Sequence, residues 1–154
     1  MNEEKWMKEA IKQANKARSI DEVPIGCVIV KDNQIIARGY NKRESLQDST
    51  AHAEIIAIRK ACKKIGSWRL EDCDLYVTLE PCPMCAGAIV QSRIRHVYYG
   101  AYDPKGGCVD TCTQLFDIKA FNHHPLYTGG ILEEQCASLL KEFFNEKRKK
   151  SKLK

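Results

Sequence analysis

Residues 50–54 read TAHAE, and residues 81–85 read PCPMC. Together they place one imidazole and two thiols at the spacing of metal ligands, as His52, Cys82 and Cys85. Zinc favours histidine and cysteine ligands in a tetrahedral arrangement. Three protein ligands leave the fourth position open, which is typical of a catalytic zinc site rather than a structural one.

A carboxylate, Glu54, follows His52 by two residues. On a regular helix, positions i and i+2 lie about 200° apart, so these side chains converge only if they lie where the chain enters the helix. A carboxylate beside the open metal position can take a proton from an activated water and pass it to a substrate. The sequence therefore predicts Glu54 as the catalytic acid and base.

The segments around these motifs alternate between helix and strand patterns. The predicted helices cover 3–18, 51–65, 83–90, a short stretch at 112–120 and a long stretch from Glu133, and the predicted strands cover 25–30, 35–40, 75–79 and 95–100. The first two strands form a hairpin, and residues 41–49 and 103–110 are loops. This order predicts an α/β fold with helices on both faces of a central sheet.

Both metal-binding motifs fall at the start of a predicted helix. Cys82 and Cys85 bracket the start of the apolar helix, and His52 lies at the start of the preceding one. The exposed N–H groups and dipole of a helix N-terminus lower the pKa of a thiol, and thiolate is the form that binds metal. We therefore expect two helix N-termini to meet at one cation.

Length and charge predict one domain with a basic extension. We assign residues 1–146 to the domain and residues 147–154 (KRKKSKLK) to a C-terminal tail, in which six of eight residues are cationic. Such a tail attracts phosphate backbones, although a solvated helix end has the same composition. The polar N-terminus resembles no signal peptide, and no apolar run approaches the roughly 20 residues of a membrane span. We expect a cytoplasmic protein with no membrane partner.

A structural zinc knuckle is the competing interpretation of the Cys-x-x-Cys motif. It requires a second ligand pair, for which the candidates are Cys108 with Cys112, or His123 with His124. A closed site of this kind leaves His52, Glu54 and Pro81 without a role.

The order H-x-E and then P-C-x-x-C is the signature of the zinc nucleobase deaminases. Further segments resemble the bacterial tRNA-specific adenosine deaminases over nearly the whole chain up to the tail. These are 22–26 (EVPIG), 39–41 (GYN), 50–55 (TAHAEI), 75–82 (LYVTLEPC), 84–88 (MCAGA), 121–123 (FNH) and 129–132 (GGIL).

The resemblance implies a cytidine-deaminase-like, three-layer α/β/α fold with a central five-stranded mixed sheet, and a homodimer. It implies the conversion of adenosine to inosine at the wobble position of an arginine tRNA, so that the partner is a tRNA anticodon loop. Each chain would bind one Zn²⁺ through His52, Cys82 and Cys85, while Glu54 moves protons. Carried over by position, the nucleotide contacts are Asn41, Ala53, Asn122 and Asp103.

One segment departs from the family pattern. Residues 107–111 read GCVDT, whereas the family usually has small residues ending in Gly-Ser there. Asp110 adds a negative charge to a loop that we expect near RNA, so the departure concerns the loop conformation and substrate affinity rather than the zinc chemistry.

Two other functions remain open from the sequence. The shared motif also fits a deaminase of a free base or nucleotide, such as guanine or cytosine. A non-catalytic, zinc-stabilised RNA-binding module would instead have a fourth protein ligand.

Overall fold

The computed structural model describes residues 2–152. The described chain contains α1 (Asn2–Ser19), β1 (Gly26–Lys31), β2 (Gln34–Tyr40), α2 (Arg43–Leu46), α3 (Ala53–Ile65), β3 (Asp74–Leu79), α4 (Pro83–Gln91), β4 (His96–Ala101), a 3₁₀ turn (Leu115–Asp117), β5 (Leu126–Thr128) and α5 (Glu133–Lys152). None of the helices within this range has both the length and the apolar character of a membrane-crossing segment.

The five strands form one mixed sheet in the order β2-β1-β3-β4-β5. β1 is antiparallel to both β2 and β3, whereas β4 is parallel to β3 and to β5. Asp32 and Asn33 form the two-residue turn between β1 and β2, with φ values of 50° and 60°. Asp and Asn tolerate this left-handed conformation, which matches the twist of a hairpin. The predicted hairpin and mixed sheet are confirmed.

Side chains that alternate along β1 bury both faces of the sheet. Cys27 and Ile29 belong to a core cluster shared with α3 and α4, whereas Val28 and Val30 belong to a second cluster shared with α1 and α5. The sheet therefore lies between two helical layers, and the predicted α/β/α architecture is confirmed. The parallel strands β3 and β4 are joined by α4, as a parallel connection requires.

Helix α3 packs unusually close to β2. A Cβ atom built on Gly39 would lie 2.5 Å from the carbonyl oxygen of Ala53, the first residue of the helix. Only small side chains fit between the two elements, and Ala57 and Ala61 are fully buried there. This contact fixes the position of the N-terminus of α3.

Three local expectations were wrong. Residues 41–49 are not all loop, because α2 forms within them where the buried carboxylate of Glu22 accepts hydrogen bonds from the backbone N–H groups of Glu44 (3.1 Å) and Ser45 (2.6 Å). Residues 112–120 contain only the single 3₁₀ turn. Because residues 83–90 are apolar nearly all round, the sequence also predicts a buried helix. Helix α4 is not buried on every side, since Pro83 and Gln91 are exposed.

Helix α5 continues without interruption to Lys152, so it includes most of the predicted tail. Arg18 of α1 holds it in place through ion pairs with Glu142 (2.9 Å) and Glu146 (2.7 Å). The end of the tail, residues 153–154, lies outside the described residues. The division of the chain at residue 146 stays a prediction.

Candidate active site

The three predicted metal ligands lie at the N-termini of two helices. His52 is the N-cap of α3, with extended backbone angles (φ −79°, ψ 154°), and Cys82 is the N-cap of α4 (φ −75°, ψ 174°). Cys85 lies in the first turn of α4. Neither N-cap side chain makes a capping hydrogen bond to its own helix, so both remain available to bind a metal ion between the helices.

The distances between these side chains fit tetrahedral zinc. Nδ1 of His52 lies 3.7 Å from Sγ of Cys82 and 3.6 Å from Sγ of Cys85. Zn–S bonds of about 2.3 Å and Zn–N bonds of about 2.0 Å at tetrahedral angles separate nitrogen from sulfur by about 3.6 Å. All three ligand atoms lie within 4.8 Å of one another. The donor set and the spacing therefore suit one Zn²⁺ with a fourth position left over.

The two thiols have opposite pKa shifts. The hydrogen bond from Cys85 lowers the pKa of Cys82 to about 4, and the hydrogen bond with His52 acts in the same direction against burial. That thiol–thiol bond and burial raise the pKa of Cys85. The hydrogen bond to Cys82 raises the pKa of His52. The cluster thus already favours one thiolate beside the imidazole, and thiolate is the form that binds metal.

Glu54 lies in the first turn of α3 and is 4% exposed. Burial raises its pKa to about 7, and a carboxyl group with such a pKa can both accept and donate protons at neutral pH. Because the helix begins at Ala53, His52 precedes it in extended conformation, and the 200° separation of an ideal helix does not apply. His52 and Glu54 line the same cavity.

This cavity, which we call the metal-site cavity, has a volume of about 220 Å³. It is lined by Val23, Ile25, Asn41, Arg43, His52, Ala53, Glu54 and Phe144. The Asn41 side chain donates to the carbonyl of Val23 (3.3 Å) and accepts from the backbone N–H of Arg43 (3.1 Å). Asn41 is therefore held in a fixed orientation at the wall of the cavity.

The structure brings Asn41 and Ala53 together with His52 and Glu54 in this cavity, but it places the other two predicted contacts elsewhere. Asp103 follows β4, and its Oδ1 accepts hydrogen bonds from the backbone N–H groups of Lys105 (3.0 Å) and Gly106 (3.2 Å). Asn122 lines a second cavity, of about 270 Å³, along the C-terminal half of α4. The two cavities share no lining residue.

The residues proposed for a closed zinc knuckle do not join the cluster. His123 pairs with the carbonyl of Ile94 (2.6 Å) and His124 with that of Phe116 (2.8 Å). Within residues 2–152, the one group of three or more potential ligands with metal spacing is that of His52, Cys82 and Cys85.

The sequence indicated no role for three residues that line the metal-site cavity, namely Val23, Ile25 and Arg43. Val23 and Ile25 carry no chemistry of their own, and Arg43 reaches the cavity only because α2 forms. Phe144 is 45% exposed although it lies on an amphipathic helix whose neighbour Phe143 is buried. Two adjacent aromatic residues on one helix cannot both face the core. The sequence therefore predicted core packing for at least one of the two rings and left stacking on an RNA base open to the other.

Comparison with known proteins gives matches over the whole fold. The family model of the MafB19-like deaminases matches residues 1–148. The tRNA-specific adenosine deaminase of Bacillus subtilis (strain 168) is 55% identical over 150 residues, which cover 97% of this chain and 93% of that protein. A solved structure from a study of A-to-I editing by tRNA:A34 deaminases at the wobble position has a TM-score of 0.85 and 49% identity, covering 88% of this chain and 98% of its own.

A guanine deaminase structure from Bacillus subtilis is a more distant match, with a TM-score of 0.65 and 38% identity over 94% of this chain and 95% of its own. These similarities extend far beyond the metal-binding motifs.

Proposed function

The chain belongs to the tRNA-specific adenosine deaminase family, and on that premise we propose that it converts adenosine to inosine at the wobble position of a tRNA anticodon. The observation that carries this proposal is the three-ligand metal group beside a buried carboxyl at one small cavity. A volume of about 220 Å³ is below the range of roughly 300–1,000 Å³ of most ligand pockets, and it suits a single base turned out of a strand.

We assign zinc as the metal, with His52, Cys82 and Cys85 as its ligands. The nitrogen–sulfur distances of 3.7 and 3.6 Å support this assignment. A bound Zn²⁺ supplies a Lewis acid that activates water at neutral pH.

Glu54 moves the protons of the reaction. Its carboxylate accepts a proton from the attacking water as the new bond to C6 of adenine forms, and it delivers a proton to N1. The carboxylate then takes the second proton of the former water from the C6 hydroxyl and passes it to the exocyclic amine, which leaves as ammonia. Adenosine and water thereby become inosine and ammonia, and no other reactant is needed. Burial of Glu54 excludes bulk water from these transfers.

Asn41 and Ala53 hold the nucleotide. The fixed amide of Asn41 retains hydrogen-bonding capacity beyond its two contacts within the protein, and Ala53 offers backbone groups at the start of α3, beside His52. Both residues line the metal-site cavity, which supports these roles.

The mouth of the cavity suits RNA. Phe144 lines the metal-site cavity and also a neighbouring depression that contains Lys105, Lys147 and Arg148. Exposed aromatic rings stack on unpaired bases, and cations attract the phosphates that flank them. We propose that the basic tail that begins at residue 147 contributes to this contact.

We also propose that the protein acts as a homodimer in the cytoplasm. Asn122 lies away from the metal-site cavity of its own chain, so its predicted contact with the nucleotide would be made in the site of the partner subunit. All eight cysteines lie in the described part of the chain and are free thiols, which fits a reducing compartment.

Deamination of a free base is the second candidate, because a guanine deaminase structure is 38% identical. The test is to incubate full-length protein of measured zinc content with an arginine-tRNA anticodon stem-loop that carries adenosine at the wobble position. A matched stem-loop with guanosine there, and free guanine, serve as controls. We expect inosine from the first substrate alone. Turnover of free guanine without inosine formation in the stem-loop would overturn the proposal.

A further inference from the structure

The carboxylate of Glu80 is 2% exposed, and the metal site does not use it. It accepts five hydrogen bonds from the loop formed by residues 103–111. The donors are the backbone N–H groups of Asp103 (3.1 Å), Val109 (3.2 Å), Asp110 (2.8 Å) and Thr111 (2.9 Å), together with the hydroxyl of Thr111. A buried carboxylate is costly unless its oxygens are paired, and here the loop supplies the partners.

The 103–111 loop closes tightly around this carboxylate. A Cβ atom built on Gly107 would lie 2.4 Å from Oε1 of Glu80, so a side chain at that position would displace the loop. Asp110, which departs from the family pattern, donates a hydrogen bond to Glu80 through its backbone N–H. The residue itself is exposed. The unusual sequence of the loop is therefore compatible with a closed conformation.

The anchor of the loop is continuous with the metal site. Glu80 and Cys82 are separated only by Pro81, whose carbonyl accepts a hydrogen bond from the backbone N–H of Cys108 (2.9 Å). One short segment thus carries both a metal ligand and the attachment of the loop. The opposite end of the loop presents Lys105 to the depression that contains Phe144, Lys147 and Arg148.

We propose that Glu80 is a positioning residue for RNA. It holds the 103–111 loop in one conformation, so that Asp103 and Lys105 meet the nucleotides that flank the target adenosine. The proposal rests on the proposed function, since it assigns these residues to the binding of the same RNA. Glu80 does not touch the reacting atoms, and it acts through the loop alone.

The test compares Glu80→Gln and Thr111→Val with wild type, all zinc-loaded and full length. An amide in place of the carboxylate presents an NH₂ group to N–H donors, whereas Thr111→Val removes one hydroxyl donor and leaves the charge. Glu71→Gln is the matched control, because Glu71 is exposed and its ion pair is with Arg69, far from the loop in the sequence. The three readouts are amide hydrogen exchange, the Kd of the anticodon stem-loop and kcat at saturating RNA.

We expect Glu80→Gln to speed exchange of the amides of residues 103 and 109–111 at least tenfold, with sheet amides and zinc content unchanged. The Kd should rise about tenfold while kcat changes less than threefold, and Thr111→Val should give a smaller change in the same direction. The control should match wild type.

Faster loop exchange with unchanged Kd would overturn the positioning role, and so would a raised Kd without faster loop exchange. Loss of zinc, or faster exchange throughout the sheet, would assign Glu80 to general stability instead. If Glu80→Gln does not fold, Thr111→Val decides by the same criteria. A wild type that binds the stem-loop without deaminating it would refute the proposed function, while exchange and Kd would still decide the role of Glu80.

Discussion

The two ends of helix α4 differ in whether side chains form hydrogen bonds with the backbone of the helix. At the N-terminus, the Cys82 side chain makes no capping hydrogen bond to the helix, and its sulfur instead lies 3.7 Å from Nδ1 of His52. At the C-terminus, the hydroxyl of Ser92 donates to the carbonyl of Ala88 (2.8 Å), and the guanidinium of Arg93 donates to that of Val90 (2.9 Å).

Because of this difference, the N-terminus of the helix serves metal binding, whereas its C-terminus serves the stability of the fold. The N-terminal N–H groups have no partner within the helix and carry partial positive charge, so they can stabilise thiolates. The C-terminal carbonyls are already paired with side-chain donors, which leaves no such capacity. Changes at the first end should therefore alter metal binding and activity, and changes at the second end should alter folding.

Removing a metal ligand at the N-terminal end should give the largest effect. We expect Cys85→Ala to lose both bound zinc and activity, because two ligands cannot hold the ion in tetrahedral geometry. Metal analysis of the purified variant checks this, with Cys112→Ala as the control because Cys112 is exposed. Wild-type protein treated with a chelator should lose activity and regain it with added Zn²⁺. Full activity of Cys85→Ala would contradict the assignment of the ligand.

Glu54→Gln should lower kcat by about 10²–10⁴-fold, which is the typical contribution of general acid–base catalysis. The amide has the same shape but cannot take up the proton. Zinc content should stay at the wild-type value, since Glu54 is not among the three ligand residues. Steady-state deamination of the stem-loop at saturating RNA measures the effect, and a variant that retains wild-type kcat would remove Glu54 from the mechanism.

The cavity beside the C-terminal half of α4 offers a test of the dimer. Asn122→Ala should raise the KM for the stem-loop about fivefold, as expected from the loss of one hydrogen bond worth about 1 kcal/mol. Gln91→Ala, in the same cavity, serves as the control and should leave KM unchanged.

Mixed dimers then locate the contact made by Asn122. A dimer of one Glu54→Gln subunit and one Asn122→Ala subunit should keep the wild-type KM, because its competent site receives an intact Asn122 from the partner. Placing both substitutions in one subunit beside a wild-type subunit should raise KM. The reverse pattern would place the contact within a single chain.

The smallest effect on activity is expected at the C-terminal end of α4. Ser92→Ala removes the hydroxyl bonds to the carbonyls of Ala88 and Ile89, so it should lower the free energy of unfolding by about 1 kcal/mol. Activity should stay within twofold of wild type, and Ser138→Ala, which is exposed, should change neither quantity. Urea denaturation measures the difference. A loss of zinc in Ser92→Ala would show that the two ends are coupled.

The sequence predicted the metal ligands and Glu54 because their chemistry depends on short spacings. Spacing alone did not show whether His52 and Glu54 converge. The structure shows that His52 precedes the helix and therefore lines the same cavity as Glu54. Glu22 and Glu80 were not identified. Each accepts hydrogen bonds from backbone N–H groups of a segment at least 22 residues away along the chain, and backbone donors leave no pattern in a sequence.

The same limit explains the other differences. Helix α2 depends on the distant carboxylate of Glu22, and β5 is only three residues long and pairs solely with β4 among the described strands. Asn122 was chosen from a local motif, whereas its cavity is created by the packing of α4 against the 3₁₀ turn.

The absence of a Cβ atom at Gly39 restricts which substitutions this protein tolerates. Gly39 lies on β2, outside the residues that line the metal-site cavity, yet it packs against the carbonyl of Ala53, the residue that follows His52. Even alanine there would push the first turn of α3 outward and carry the imidazole away from the two sulfurs. In a random mutagenesis screen, substitutions of Gly39 should therefore abolish activity as substitutions of a metal ligand do. Efforts to evolve activity on new substrates should leave Gly39 unchanged.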